Sequence, residues 1–360
     1  MLYLIWVVKV LDINLMKIII MTMVPFLFVT IIIPIIKKIA FHVGAIDIPN
    51  ERKVHKKPMP RLGGLGIYAG FLLGYMLFSE HTYMMNSILI GSFILIITGI
   101  IDDIKPLKAY HKLVGQLIAC LIVVLYGDVL LKDVSFFGIY LDFDIFSYPL
   151  TILFMLGCIN CMNFIDGLDG LAAGISSIFF LTIGIIAFCQ SKIGLDYTLA
   201  LSITFVMLGS TGGFLVHNFY PAKIFMGDTG SMFLGYMMSI ITILGFKSVM
   251  MSSMIIPLFI LVVPILDTLF AIIRRKLKGE SVTMPDKSHI HHLLLKKNFT
   301  QRQTVLIIYL ITILFSTTTI IYTLISQKIG IIFYSILVIT FIIFIYKLGI
   351  IFSKDIDKTN

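Results

Sequence analysis

The chain has 360 residues, of which 59% are hydrophobic and 13% charged, with a mean hydropathy of +1.03. A water-soluble fold could not bury that much apolar surface, so the composition describes a polytopic membrane protein. Its formal charge of +9 then belongs beside the bilayer rather than in a nucleic-acid patch, and no RNP, zinc-finger or helix-turn-helix signature accompanies the basic residues.

The apolar runs are about twenty residues long and do not alternate as barrel strands do, which predicts an all-α architecture. Splitting at charged and Gly/Pro-rich punctuation gives about eleven spans, near 18–36, 64–79, 84–101, 112–127, 147–163, 171–190, 197–217, 230–246, 249–273, 304–326 and 329–346. Met1–Val10 is apolar but has no basic leader or small-residue cleavage site, so a removed signal peptide is not expected. No inverted repeat stands out, and residues 1–360 read as one membrane domain. The second span carries Gly63, Gly64, Gly66, Gly70 and Gly74, which suits close helix–helix contact. The four cysteines (Cys120, Cys158, Cys161, Cys189) lie in or at the ends of apolar runs and read as packing.

Lysine and arginine set the orientation. With the N-terminus outside, only Lys9, Lys17, Lys132, Lys192, Lys247 and Lys328 of the 28 basic residues fall on the outer side. The positive-inside rule therefore puts the C-terminus and the intervening odd-numbered loops in the cytoplasm. Every histidine except His81 falls on that side. On the other side, Lys132–Phe143 alternates apolar and polar residues around Gly138 and predicts a small extracytoplasmic β-hairpin.

Five polar clusters follow one another on the inner side. The first, Asp47 to Gly64, interleaves basic residues with prolines. A positive-inside anchor would look similar, but Arg61 as a fork and Lys53 as a point charge would also grip a phosphate. Asp102 and Asp103 close the third span. Adjacent carboxylates repel and favour a cation between them, although Asp103 pairing with Lys105 or Lys108 would serve too. The third cluster is N-C-M-N-F-I-D-G-L-D-G-L at 160–171. In a helix, Asp166 and Asp169 would share a face, and a sixth span starting near Leu168 would offer free N–H groups to an anion. The fourth runs from Asn218 to Ser231, where Asp228 would cap the next helix or bind a divalent metal and Phe219 or Phe225 would stack on a base. The fifth holds Arg274, Arg275 and the His289, His291, His292 group, whose spacing matches no zinc pattern and suits phosphate better. Upstream, Pro257 and Pro264 would bend the ninth span, and Asp267 within it needs a partner.

Carboxylates and amides for Mg²⁺, with histidines and arginines for phosphates, make up the equipment of phosphoryl transfer, and no P-loop or kinase signature competes. In their order DIPNERKVHKKPMPRLGG (47–64), IDDIKPL (101–107), NCMNFIDGLDGL (160–171), GDTGSMFLG (227–235) and PDKSHIHHLLL (285–295), the motifs resemble the polyprenyl-phosphate N-acetylhexosamine-1-phosphate transferases. The HIHH segment, with Ile at 290, resembles the branch that starts teichoic acid, O-antigen and enterobacterial common antigen rather than the branch that uses UDP-MurNAc-pentapeptide.

The resemblance implies transfer of GlcNAc-1-phosphate from UDP-GlcNAc to undecaprenyl phosphate in the bacterial cytoplasmic membrane, with release of UMP; another UDP-N-acetylaminosugar would fit the same motifs. It implies that Asn163 and Asp228 hold Mg²⁺ (with Mn²⁺ a substitute), and that Asp102, Asp103 and Asp166 carry the catalysis, with Asp102 the candidate base. Asp169, Asn218, Phe225, Arg275, His289, His291 and His292 would face nucleotide, phosphate or sugar. Asp47, Lys53, His55 and Arg61 would match the first-loop motif beside the lipid phosphate. A homodimer is the expected assembly. The reading from another class is a transporter or flippase for an anionic lipid. It predicts polar groups near the midplane and on both sides, whereas these clusters share one side.

Overall fold

The computed structural model describes residues 2–49, 57–136, 139–192, 198–246, 262–277 and 289–348. Its helices are α1 (Leu2–Val43), α2 (Gly63–Phe78), α3 (Tyr83–Ile104), α4 (Ala109–Leu125), α5 (Ser147–Ile165) and α6 (Leu171–Ser191), then α7 (Thr198–Asn218) and α8 (Gly227–Phe246). After these come α9 (Val262–Leu277), α10 (Ile290–Lys296), α11 (Gln301–Ile320), which runs into a π-helical turn over Ile321–Ile325, and α12 (Gln327–Leu348). Each predicted span falls on one of these helices, except that residues 249–261 of the ninth, with Pro257, lie outside the described residues. Among the described residues, seven helices are long and apolar enough to cross a membrane, and α2 and α4 are shorter apolar helices. The molecule is an all-α polytopic membrane protein.

Packing follows from which helices are apolar all round. α8 is buried continuously from Thr229 to Leu244 and packs on α2, α3 and α5. Three polar groups along it are neutralised: Ser231 Oγ donates to Gly227 O (3.1 Å), Ser239 Oγ to Tyr236 O (2.7 Å) and Tyr236 OH to Ile88 O (3.0 Å), whereas the buried Thr242 Oγ1 has no hydrogen-bond partner among the described residues. Unpaired, each would be costly in an apolar interior. α7 packs on α1, α2 and α6 to complete the inner layer. By contrast, only 22% of the spanning windows of α1 and α12 is buried, and residues such as Ile31 and Ile336 face outward as a lipid-facing surface would.

Close contact between helices depends on glycine, as the second span predicts. A Cβ on Gly64 would collide with the backbone of Gly230 and Thr229, and one on Gly99 with the backbone of Thr229. These positions draw α2 and α3 onto the first turn of α8, with no side chain between.

Among the described residues there are also two short antiparallel pairs. β1 (Ile46–Asp47) pairs with β2 (Met59–Pro60), with Asp47 opposite Met59, so both ends of the connection between α1 and α2 are held together. β3 (Asp133–Phe136) pairs with β4 (Ile139–Asp142), with Asp133 opposite Asp142; this is the hairpin expected over Lys132–Phe143.

Candidate functional site

The C-terminal ends of α3, α5 and α7 meet the N-terminal ends of α2, α4, α6 and α8 at one end of the bundle. Asp103 lies at the centre of this meeting. Its Oδ1 accepts from Asp228 N (3.0 Å), and its Oδ2 accepts from Thr229 N (3.0 Å) and Thr229 Oγ1 (2.6 Å). A carboxylate from α3 therefore caps α8 and complements the positive end of that helix. This corrects the expectation that Asp228 caps its own helix. The Asp228 side chain is left to meet Lys112 and Arg61, with Gly227 in a left-handed conformation (φ +70°) turning the chain into the helix.

Around this cap stands a charge network. Lys112 Nζ lies 3.0 Å from Asp102 Oδ2 and 2.8 Å from Asp228 Oδ2, bridging two carboxylates from different helices. The other oxygen of Asp102 accepts from Leu107 N at 2.8 Å. Arg61 reaches Asp103 (3.4 Å), Asp228 (3.6 Å) and Asp47 (3.6 Å). The cations beside Asp102 and Asp103 are thus Lys112 and Arg61, in place of Lys105 or Lys108. Burial lowers the pKa of Arg61, but Asp103, Asp228 and Asp47 outweigh it, so Arg61 is held more firmly charged than usual.

Ligand oxygens of Asp102, Asp103 and Asp228 lie within 4.8 Å of one another, a group able to hold a metal ion. Hard, closely set carboxylate oxygens suit a divalent cation such as Mg²⁺.

A cavity of about 310 Å³ opens beside this cluster. The first loop contributes Asp47 and Arg61 to its lining, the α5–α6 connection Asn163, Asp166 and Asp169, the α7–α8 connection Asn218, Phe225 and Asp228, and the histidine segment His292. Four of the five predicted clusters thus line one cavity, and the second, Asp102 and Asp103, lies buried behind Asp228. His289, His291 and Arg275 are also buried, the histidines in a second layer behind His292 and Arg275 on α9. Lys53 and His55 lie outside the described residues.

Within the third cluster the local geometry differs from a helix. α5 ends at Ile165 and α6 begins at Leu171, so Asp166 and Asp169 occupy the turns between them and do not share a helical face. α6 begins where the span over 171–190 predicts rather than near Leu168, directly after Gly170 (φ +78°), whose N donates to Asn218 Oδ1 at 3.0 Å. Asn218 also donates from Nδ2 to Ile224 O (2.9 Å), and Asp169 Oδ2 accepts from Ala222 N (2.9 Å). Asn218 therefore latches the α5–α6 and α7–α8 connections together with both ends of its amide. Asn163 Nδ2 donates to Ser231 Oγ (2.9 Å), and Asn163 and Asp228 both line the cavity. Asn160 bonds Gln116 across to α4 (2.9 Å) and serves to brace the helices.

Burial first, and the Asp228 carboxylate second, push Asp166 up to about 7, although its carboxyl opens partly on the cavity. Burial and then His292 pull His291 down to about 3, so it is a neutral ring at physiological pH. His291 packs directly on Gly167, where a Cβ would meet its Nε2 at 2.6 Å.

Sequence reasoning counted Lys112 as a juxtamembrane charge and gave it no role. Its signal was a lysine at the mouth of an apolar run, ten residues after Asp102. Gln301, which also lines the cavity, carried no signal at all.

The profile of glycosyl transferase family 4 matches residues 85–246, which carry the second, third and fourth clusters. A probable undecaprenyl-phosphate N-acetylglucosaminyl 1-phosphate transferase of Bacillus subtilis is 44% identical over 312 residues, 85% of each chain. The chain belongs to glycosyl transferase family 4. Further relatives are a decaprenyl-phosphate N-acetylglucosaminephosphotransferase of Mycolicibacterium smegmatis, 34% identical over 76% of this chain and 74% of that one. An undecaprenyl-phosphate alpha-N-acetylglucosaminyl 1-phosphate transferase of Salmonella typhi is 30% identical over 79% and 78%. The alignable length of these family members exceeds the profile match, so the likeness reaches beyond α3–α8.

Proposed function

We propose that the chain transfers GlcNAc-1-phosphate from UDP-GlcNAc to undecaprenyl phosphate at the cytoplasmic face of a bacterial cell membrane, releasing UMP. The observation that carries this reading is the convergence of Asp102, Asp103 and Asp228 with Arg61 and Lys112 beside one cavity, in a chain whose relatives bear that activity in their names. A site that holds carboxylates and fixed cations together fits a diphosphate substrate and a phosphate acceptor.

The donor set fits Mg²⁺: Asp228, Asn163 and the carboxylates of α3 supply hard oxygens, and Lys112 and Arg61 already balance their charge. When bound, Mg²⁺ would neutralise charge on the diphosphate.

The chain's own residues would then divide the work. Arg61 and Lys112 would hold phosphate oxygens of donor and acceptor, and Asp166, Asp169 and Phe225 would line the nucleotide side. The acceptor monoester, with a second pKa near 6, is largely dianionic at pH 7. Its oxygen would attack the sugar-bearing phosphorus in line; the bond from that phosphorus to the UMP oxygen would break, and UMP would leave with the electron pair. Asp102 would orient the acceptor or take its residual proton. Ile290 within HIHH supports GlcNAc over a MurNAc-pentapeptide donor. The product would start a cell-envelope glycopolymer such as teichoic acid, capsule or O-antigen. The whole chain would act as one membrane domain, N-terminus outside, and as a homodimer.

The test is purified protein with undecaprenyl phosphate, Mg²⁺ and a panel of UDP-sugars, with UMP as readout. UMP release dependent on both lipid and UDP-GlcNAc is expected; lipid movement across vesicles without UMP would overturn the reading. Asp228→Asn should lose at least about 100-fold in turnover while the protein still inserts, in line with the loss of a transition-state charge contact. Exchange of labelled UMP into UDP-GlcNAc without lipid would replace direct attack by a covalent aspartyl intermediate.

A further inference from the structure

Asp267 sits on α9 and is only 3% exposed. Both its oxygens are committed to the histidine segment: Oδ2 lies 2.8 Å from His289 Nδ1, and Oδ1 accepts from Ile290 N at 2.7 Å. An ionised carboxylate only accepts, so this contact puts the His289 proton on Nδ1 and leaves Nε2 as the free ring atom. The second contact caps α10 at its first residue and ties that helix to α9. His289 stacks on His291 with rings parallel to 4° and centroids 5.7 Å apart, and lies 6.3 Å from His292, which lines the cavity. The orientation of His289 therefore bears on all three imidazoles.

We propose that Asp267 is a positioning residue: it fixes the tautomer and orientation of His289 and, through the packing of the three imidazoles, sets how the cavity-lining His292 meets the substrate. Carboxylates that orient histidines from behind are a recurrent device. That the ligand is a substrate phosphate rests on the function proposed above; the Asp267–His289 coupling does not.

Asp267→Asn separates the two contacts. The amide carbonyl can still accept from Ile290 N, while the NH₂ group places a donor against His289 Nδ1 and forces the other tautomer. In ¹⁵N-histidine-labelled protein, the signal removed by His289→Ala should report a protonated Nδ1 in the wild type and a protonated Nε2 in Asp267→Asn. Turnover should fall about 10- to 100-fold in Asp267→Asn, with the apparent KM for UDP-GlcNAc changed far less. In a His289→Ala background, Asp267→Asn should add less than about twofold, because its effect passes through the missing ring. Losses that multiply in the double variant, or a wild-type signal with the proton on Nε2, would overturn the proposal. If the Asn variant does not survive purification, the wild-type spectrum alone decides the tautomer. If no UDP-sugar is turned over, the proposed function fails while the ¹⁵N readout still decides the coupling.

Discussion

Lys112 illustrates how much of this site depends on one side chain's neighbours. Its ammonium bridges Asp102 and Asp228 at 3.0 and 2.8 Å, and Arg61 stands on the opposite side of Asp228. Removing a partner from a charge network that is largely shielded from water leaves uncompensated charge and costs more than any exposed ion pair would. Lys112→Gln should therefore reduce UMP release at least about 100-fold, with detergent-purified protein of normal yield as the control. His291 offers a pH test. Its folded value of about 3 lies below the ordinary histidine value of about 6.5. Above pH 6.5 the ring is neutral in both folded and unfolded chains and contributes no pH dependence. As pH falls from 6.5 towards 3 the unfolded chain takes up the proton and the folded one does not, so stability is lost. The thermal midpoint of the wild type should fall more steeply between pH 6.5 and pH 4 than that of His291→Asn. Parallel slopes would remove His291 from the buried neutral class.

Among the elements, α8 is the one on which the site is built. Its first turn receives Asp103 from α3 and touches the backbone of α2 through Gly64 and Gly230. Because backbone meets backbone there, no side chain can yield to make room. Gly64→Ala should push α2 away from α8, at an overpacking cost of about 1–3 kcal/mol. It should lower both the thermal midpoint and turnover, since Arg61 lies three residues before the contact. An unchanged midpoint would show that the interface tolerates a methyl group. The latch made by Asn218 is another contribution at this scale: it couples two connections whose carboxylates face one cavity.

Taken as a whole, the molecule gathers its polar chemistry at one end of an apolar bundle. The hairpin β3–β4 stands outside that cluster, and positive-inside counting puts it on the opposite side of the membrane. Single cysteines introduced at Lys132 and at Lys105 should label with membrane-impermeant maleimide from opposite sides of intact cells, Lys132 from outside only. Labelling of both from the same side would reverse the proposed topology.

The membrane class, the positions of the spans, the hairpin and the identity of most cavity residues follow from the sequence by itself. Hydropathy over about twenty residues and turn residues between the runs are local properties, written in consecutive positions. The five motifs likewise name Asp47, Arg61, Asn163, Asp166, Asp228 and His292 before any packing is known. What each group is bonded to was decided only by the tertiary structure. Asp103 caps a helix that begins more than a hundred residues later, Lys112 reaches a carboxylate 116 residues away, and Asp267 turns towards His289 across 22 residues. Such partners are chosen when helices pack and an unpaired charge must be satisfied, and that choice leaves no period or spacing along the chain.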